Sequence, residues 1–283
     1  MLFQALSTHP DLWSLYHEGQ GILNRHFEVT LAEGQSPFVP GSRLDDPTAT
    51  AIRHDFFNNV GNLEAGHQWA SRAMPLIIRD RLSGRLRRLG SATKAAPIRM
   101  VDKSPGNSYR IQVLDRVFPD GRFVYIVRDP RTAIASIYHA WTQESRFQAF
   151  DLPPGFTIHG YEGRWCFAPL PNLSELNGLP LVDVCAAQWI SYNEHCLRDL
   201  PSDPARVLRV RYEDLLASPG MILEDLARWA DIDPLPLKRF EKKLPVVNTW
   251  TKPRPDKWRR YEDQIDSVRT QLGPMGERLG YAI

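Results

Sequence analysis

The sequence is poor in cysteine, has little net charge and contains no long apolar run. Its three cysteines in 283 residues show no metal-ligand spacing, and an odd number of cysteines does not suit a disulfide framework. Both observations favour buried thiols in a reducing cytoplasm. No apolar run approaches the roughly 20 residues of a membrane helix. The first residues become polar too soon for a secretory signal peptide. A net charge of +2 gives no general reason to expect binding to nucleic acid.

What the sequence does contain is an alternation of short apolar runs and amphipathic segments. Three runs predict strands, at 98–101, 123–127 and 207–210, and three segments predict helices, at 108–117, 132–141 and 183–200. Strands that alternate with helices favour an α/β fold with a mainly parallel sheet covered on both faces. The length allows one full domain over 1–283 or two small ones. Residues 142–182 read as a long irregular insert.

The stretch from Phe123 to Ser136 carries the most chemistry. Its first five residues are an apolar run typical of a strand buried on both faces. Arg-Asp-Pro-Arg at 128–131 ends that run, and Pro130 suits the first turn of a helix. Cations at a helix N-terminus favour an anion. Arg128 and Ser136, eight residues apart, could therefore reach one phosphate; the alternative is a surface turn with solvated arginines.

This turn, with Ser136 after it, resembles the 3′-phosphate-binding motif of the sulfotransferases. That family transfers a sulfuryl group from 3′-phosphoadenosine 5′-phosphosulfate (PAPS) to an alcohol, phenol or amine. Two further blocks occur in the order seen in bacterial and tyrosylprotein sulfotransferases: Asp-Lys-Ser-Pro at 102–105 and Arg-Tyr-Glu-Asp-Leu-Leu at 211–216. The resemblance covers nearly the whole chain. It implies a three-layer α/β/α fold like that of nucleotide kinases, with PAPS as co-substrate.

One part of the family pattern is missing from the sequence. Family members begin with a strand and a Gly-rich loop of the type Arg-Ser-Gly-Thr-Thr, whose backbone N–H groups hold the 5′-phosphosulfate. Residues 1–11 resemble the helix directly after that loop. We therefore expect that Met1 is an internal methionine and that the true start lies upstream. The alternative is a genuine truncation, which would remove the first, central strand and leave a poor enzyme.

The resemblance also implies which residues carry out catalysis. Lys103 is expected to stabilise the leaving phosphate or the transferring sulfuryl group; the alternative is a lysine in a strand–helix loop. A hydroxyl acceptor needs a base, and both His17 and Glu18 lie where relatives place a glutamate. The spacing is two residues longer than in the tyrosylprotein pattern, so the choice between them stays open. A partly buried histidine and a solvated carboxylate are the alternatives.

The predicted nucleotide contacts come from three segments. Arg128 and Ser136 are expected to bind the 3′-phosphate, and Arg131 is a candidate to share its charge. Tyr212 is expected either to contact the adenine or to be a core tyrosine. The basic stretch at 248–260 resembles the family's C-terminal loop that folds over the nucleotide, although a basic surface would explain its charges nearly as well. Its candidate phosphate contacts are Lys252, Lys257 and Arg259.

Two function classes follow from these residues. The first is a PAPS-dependent sulfotransferase, and the second is a non-catalytic protein that binds 3′,5′-adenosine bisphosphate (PAP). A P-loop kinase is disfavoured because no Gly-x4-Gly-Lys-Ser/Thr occurs. No metal is implied, since two cationic side chains can neutralise the transferred group.

We expect a small-molecule, carbohydrate or lipid acceptor, with aromatic residues of 138–167 either lining its pocket or filling the core. We expect no nucleic acid partner and no membrane span, and the oligomeric state stays open.

Overall fold

The computed structural model describes residues 1–15, 18–30, 35–58, 99–143, 147–245 and 256–283. The strands in these ranges are β1 (Leu12–Ser14), β2 (Arg99–Val101), β3 (Phe123–Val127), β4 (Gln148–Phe150), β5 (Trp165–Cys166) and β6 (Val207–Arg211). The helices are α1 (Leu2–Leu6), α2 (Gln20–His26), α3 (46–58), α4 (Ile111–Val117), α5 (Pro130–Thr142), α6 (Leu181–Asp199), α7 (Tyr212–Ala217), α8 (Pro219–Trp229), α9 (Glu262–Ser267) and α10 (Arg269–Arg278).

The predicted parallel pairing of strands is confirmed. Strand β1 pairs in parallel with β2, and β3 pairs in parallel with β6, while β4 and β5 are antiparallel. In the second pair Val127 lies opposite Arg211. The turn after β3 and the helix after β6 therefore leave the sheet side by side.

One apolar cluster joins the two parallel pairs. Leu12 of β1 and Val210 of β6 are buried in it, and Val101 of β2 and Val124 of β3 pack against it. Helices α1 and α8 supply the other side of this cluster, with Leu2 among the buried residues. Strands that alternate with helices and share such a layer form the α/β fold that the sequence predicted.

The expectation that β3 is buried on both faces is only partly met. Tyr125 and Val127 are buried, but the side chain of Ile126 is 42% exposed. Within the described ranges, β3 has β6 as its single strand neighbour, and β2 has only β1. The sheet is therefore seen as two parallel pairs, and the second edges of β2 and β3 carry no strand partner in the part of the chain that the structure describes.

The largest core cluster lies between β3, α5, α6 and the C-terminal helices. It contains all three cysteines, which are buried, as the sequence predicted. Trp141 and Trp165 are fully buried there with ring centroids 5.0 Å apart. These two aromatic residues, which were candidates for an acceptor pocket, are therefore core residues, because the insert folds down onto α5. No helix in the described ranges combines the length and the apolar character needed to cross a membrane.

Candidate functional site

The site begins where β3 turns into α5. Asp129 is the N-cap residue of the helix, and its carboxylate accepts hydrogen bonds from the backbone N–H groups of Arg131 at 2.8 Å and Thr132 at 3.4 Å. Pro130 occupies the first helical position, where its missing N–H costs nothing. Local capping chemistry therefore sets the shape of this turn.

Arg128 is held by its neighbours on two sides. Its guanidinium carbon lies 4.6 Å from the centroid of the Tyr212 ring, and its Nε donates to the Thr132 hydroxyl at 3.1 Å. The side chain is half-buried, and burial lowers the pKa of Arg128, although a guanidinium stays protonated near neutral pH. Within the described residues, no hydrogen bond from the other two guanidinium nitrogens of Arg128 accompanies this one from Nε. A partly desolvated cation with remaining donors is suited to bind an anion.

Tyr212 thus lies against the turn, with one ring face covered by Arg128. Its hydroxyl approaches the Sδ of Met1 at 3.5 Å. The two expectations for Tyr212, an adenine contact or a core tyrosine, stay predictions. What the structure shows is that Tyr212 supports the guanidinium of Arg128.

Glu213 fastens the turn from the neighbouring strand. Its Oε1 accepts from the backbone N–H of Asp129 at 3.0 Å, and its Oε2 accepts from the hydroxyl of Tyr281 at 2.8 Å. Glu213 lies in the first turn of α7, but that helix has no side-chain cap bond. The carboxylate is instead used across the sheet, because Val127 and Arg211 are register partners.

Arg131 and Ser136 have partners within α5 and its cap. The guanidinium of Arg131 makes a double contact with Asp129, at 3.1 Å from Nε and 2.6 Å from Nη2. The exposed Ser136 donates its hydroxyl to the Thr132 carbonyl at 2.8 Å. Thr132, which the sequence did not single out, therefore contacts both predicted 3′-phosphate residues, Arg128 through its hydroxyl and Ser136 through its carbonyl.

A second cation approaches from the C-terminal part of the chain. Residues Lys257–Tyr261 form a short 3-10 turn. Partial desolvation lowers the pKa of Lys257, and the positive charge of Arg128 lowers it further. Arg259 is exposed and pairs with Glu262 at 3.3 Å. The structure thus brings Lys257 towards Arg128, pairs Arg259 with a surface carboxylate, and leaves Lys252 outside the described residues.

The predicted catalytic pair lies after β2. The Nζ of Lys103 is 2.5 Å from Oε1 of Glu18, and the hydroxyl of Ser104 donates to Oε2 of Glu18 at 3.3 Å. Just before them, Asp102 accepts from the backbone N–H of Gly19 at 2.9 Å. Burial raises the pKa of Asp102, and Glu18 adds to that effect. The loop that carries Glu18 is thereby tied to the end of β2. His17 lies outside the described residues.

Lys103 and Arg128 thus both lie past the carboxyl ends of parallel strands, where α/β folds bind ligands. A cation therefore follows one strand of each parallel pair, and Lys103 lies beside the carboxylate of Glu18, so the described residues offer groups that can bind an anion beside a base.

Comparisons with known proteins found relatives of this chain. The family model for the sulfotransferase family matches residues 2–159. Omega-hydroxy-beta-dihydromenaquinone-9 sulfotransferase Stf3 of Mycobacterium bovis is 28% identical over 184 residues, which are 63% of this chain and 40% of that protein. The protein of the same name from Mycobacterium tuberculosis gives the same values. This chain therefore spans less than half the length of the curated relatives it matches.

The comparison with solved structures also found matches. The sulfotransferase domain from the curacin biosynthetic pathway is 18% identical, with a TM-score of 0.48, covering 100% of this chain and 93% of that one. Sulfotransferase STF9 from Mycobacterium avium is 16% identical, with a TM-score of 0.42, covering 96% and 72%.

Proposed function

Since the chain belongs to the sulfotransferase family, we propose that it transfers a sulfuryl group from PAPS to a hydroxyl or amine of an acceptor by in-line displacement. The observation that carries this proposal is the half-buried guanidinium of Arg128, stacked on Tyr212 at the start of α5. Ordinary adenine nucleotides carry no 3′-phosphate, so a cation fixed in this way is suited to recognise the donor.

The described residues fit the 3′-phosphate of PAPS. Arg128 would donate to it from a fixed position, and Lys257 would add a second positive charge. Ser136 and Arg131 lie on the first turns of the same helix and would bind at its rim after exchanging their present partners. Arg259 would have to leave Glu262 to contribute, so it is the weakest of these candidates.

Lys103 and Glu18 would serve the transfer step. The acceptor oxygen forms a bond to sulfur while the bond between sulfur and the 5′-phosphate oxygen of the donor breaks. The acceptor proton goes to the Glu18 carboxylate, and Lys103 neutralises the charge that develops on the leaving oxygen or on the sulfuryl group. The products are a sulfated acceptor and PAP. His17 stays the alternative base.

The acceptor is proposed by class only. The name of the mycobacterial relatives specifies a hydroxylated dihydromenaquinone. An alcohol on a lipid-like or other small molecule is consistent with that name and with the hydroxyl chemistry available to Glu18. We retain a carbohydrate as the second acceptor class.

The second candidate is a non-catalytic protein that retains a PAP site. Two measurements separate the candidates. Tighter binding of PAP than of ATP is expected for both of them, whereas tighter binding of ATP would argue for a kinase. Transfer of label from PAPS to a mixed panel of alcohols, phenols and amines is expected only for the enzyme. A chain that binds PAP and transfers nothing would favour the binding protein.

A further inference from the structure

The turn Lys257–Tyr261 is fastened to α5 by two aromatic residues. The hydroxyl of Tyr261 and the Nδ1 of His139 share a hydrogen bond of 2.7 Å. Nearer the start of the helix, the guanidinium carbon of Arg131 lies 5.2 Å from the centroid of the Trp258 ring. These two contacts are about two helical turns apart on α5, so they fix both ends of the short turn rather than one point of it.

This attachment brings two positive charges towards each other. Lys257 is the first residue of the turn and precedes Trp258, which lies against Arg131 at the start of α5, where Arg128 also lies. Desolvation lowers the pKa of Lys257, and the charge of Arg128 adds to that effect. Like charges repel, so the free protein has no electrostatic reason to hold Lys257 near Arg128. The aromatic contacts offset that repulsion, and an anion between the two cations would remove it.

We propose that Tyr261, His139 and Trp258 are positioning residues that hold Lys257 beside Arg128 and so set the preference of the site for a nucleotide with a 3′-phosphate. The inference rests on the proposed function and extends it to residues that make no contact with the donor. Without a bound nucleotide, Arg131 pairs with Asp129 and its guanidinium lies against the Trp258 ring.

The competing explanation is core packing alone. Trp258 and Tyr261 both pack against the large core cluster, so their removal would lower stability whether or not Lys257 binds an anion. Tyr261→Phe separates the two explanations, because it keeps the ring in the core and removes only the hydroxyl that contacts His139. If Tyr261 has only a structural role, this variant should not selectively weaken the binding of a nucleotide that carries a 3′-phosphate.

The experiment measures affinity for PAP and for adenosine 5′-monophosphate (AMP) by calorimetry on the whole chain, for wild type, Lys257→Ala, Tyr261→Phe and the double variant. Lys257→Ala is expected to weaken PAP about tenfold or more, and Tyr261→Phe about three- to tenfold. AMP affinity should change less than about twofold in both. The double variant should bind PAP about as weakly as Lys257→Ala alone, because the hydroxyl acts only through Lys257.

Tyr161→Phe is the matched control, since it removes a hydroxyl that donates to the Arg164 carbonyl at 2.8 Å in the insert. It should leave the ratio of PAP to AMP affinity unchanged. Additive losses in the double variant, or equal losses for PAP and AMP, would overturn the positioning role while leaving the proposed function intact. A wild-type chain that shows no preference for PAP over AMP would overturn both.

Discussion

Lys103 and Glu18 lie 85 residues apart in the sequence and form an ion pair, with 2.5 Å between Nζ and Oε1. Their side chains are 45% and 39% exposed, so water screens the attraction and the pair adds little to stability. Its value in the proposed reaction is chemical. In that reaction it would place the base that takes the acceptor proton beside the cation that neutralises the leaving oxygen or the sulfuryl group.

The first prediction concerns the base. Glu18→Gln keeps the size of the side chain but removes its ability to accept the acceptor proton, so transfer from PAPS should fall about 100-fold or more. PAP affinity should change less than about threefold, measured by calorimetry on the same preparations. Glu224→Gln, a carboxylate in an exposed pair with Arg228, is the control and should keep full activity. Retained transfer by Glu18→Gln would assign the base to His17.

The second prediction concerns the 3′-phosphate. Arg128→Ala should weaken PAP binding by about 2 kcal/mol or more, the scale of a hydrogen bond to a charged group, and should change AMP binding far less. Calorimetry with both nucleotides gives the two values. Arg228→Ala removes an exposed arginine on α8 and should leave both affinities unchanged. Equal affinity of wild type and Arg128→Ala for PAP would disprove the assignment.

The third prediction concerns the support of the turn. Tyr281→Phe removes the donor to Oε2 of Glu213 and should lower the free energy of unfolding by about 1–2 kcal/mol, because a partly buried carboxylate oxygen is left without its partner. Denaturant titration measures this change. In a Glu213→Gln background the same substitution should cost clearly less. An equal cost in both backgrounds would show that the hydroxyl does not act through Glu213.

The fourth prediction is a pH dependence. Burial lowers the pKa of His139 below its ordinary value of 6.5, with further contributions from Arg260 and Lys257. The unfolded chain therefore binds a proton at this position at a higher pH than the folded chain does. The stabilising contribution is complete above pH 6.5 and is lost as the pH falls below it.

The measurement compares the free energy of unfolding at pH 7.5 and pH 5.5 for wild type and for His139→Gln. Wild type should lose more stability than the variant between these two pH values. His159→Gln, at an exposed histidine, should behave like wild type. If His139→Gln shows the same loss as wild type, the acid sensitivity arises at another group.

Local features of the sequence were the ones that could be predicted well. The strand at 123–127 and the helix that begins at Pro130 follow from neighbouring residues alone. The boundaries of α6 and β6 differ from the predicted ones by one or two residues, as the ends of elements usually do.

The partners of these local features were not predictable in the same way. Glu213 and Asp129 are 84 residues apart, and Tyr261 and His139 are 122 residues apart. No spacing rule links such pairs, since their contact depends on which strands pair and how helices pack on them. The contact of Thr132 with Arg128 could have been predicted in part from the sequence. Thr132 lies one helical turn after Arg128, and this spacing places both side chains at the same end of the helix.

By itself the sequence determined the α/β class, the turn that presents Arg128, and the chemical types of the side chains available for transfer. These follow from periodicity, capping and proline geometry, which act over a few residues. Only the tertiary structure decided that Lys103 pairs with Glu18, that Glu213 supports the turn, and that Lys257 approaches Arg128. Those contacts join distant parts of the chain, and the parallel register of the strands and the burial of the apolar faces bring them together.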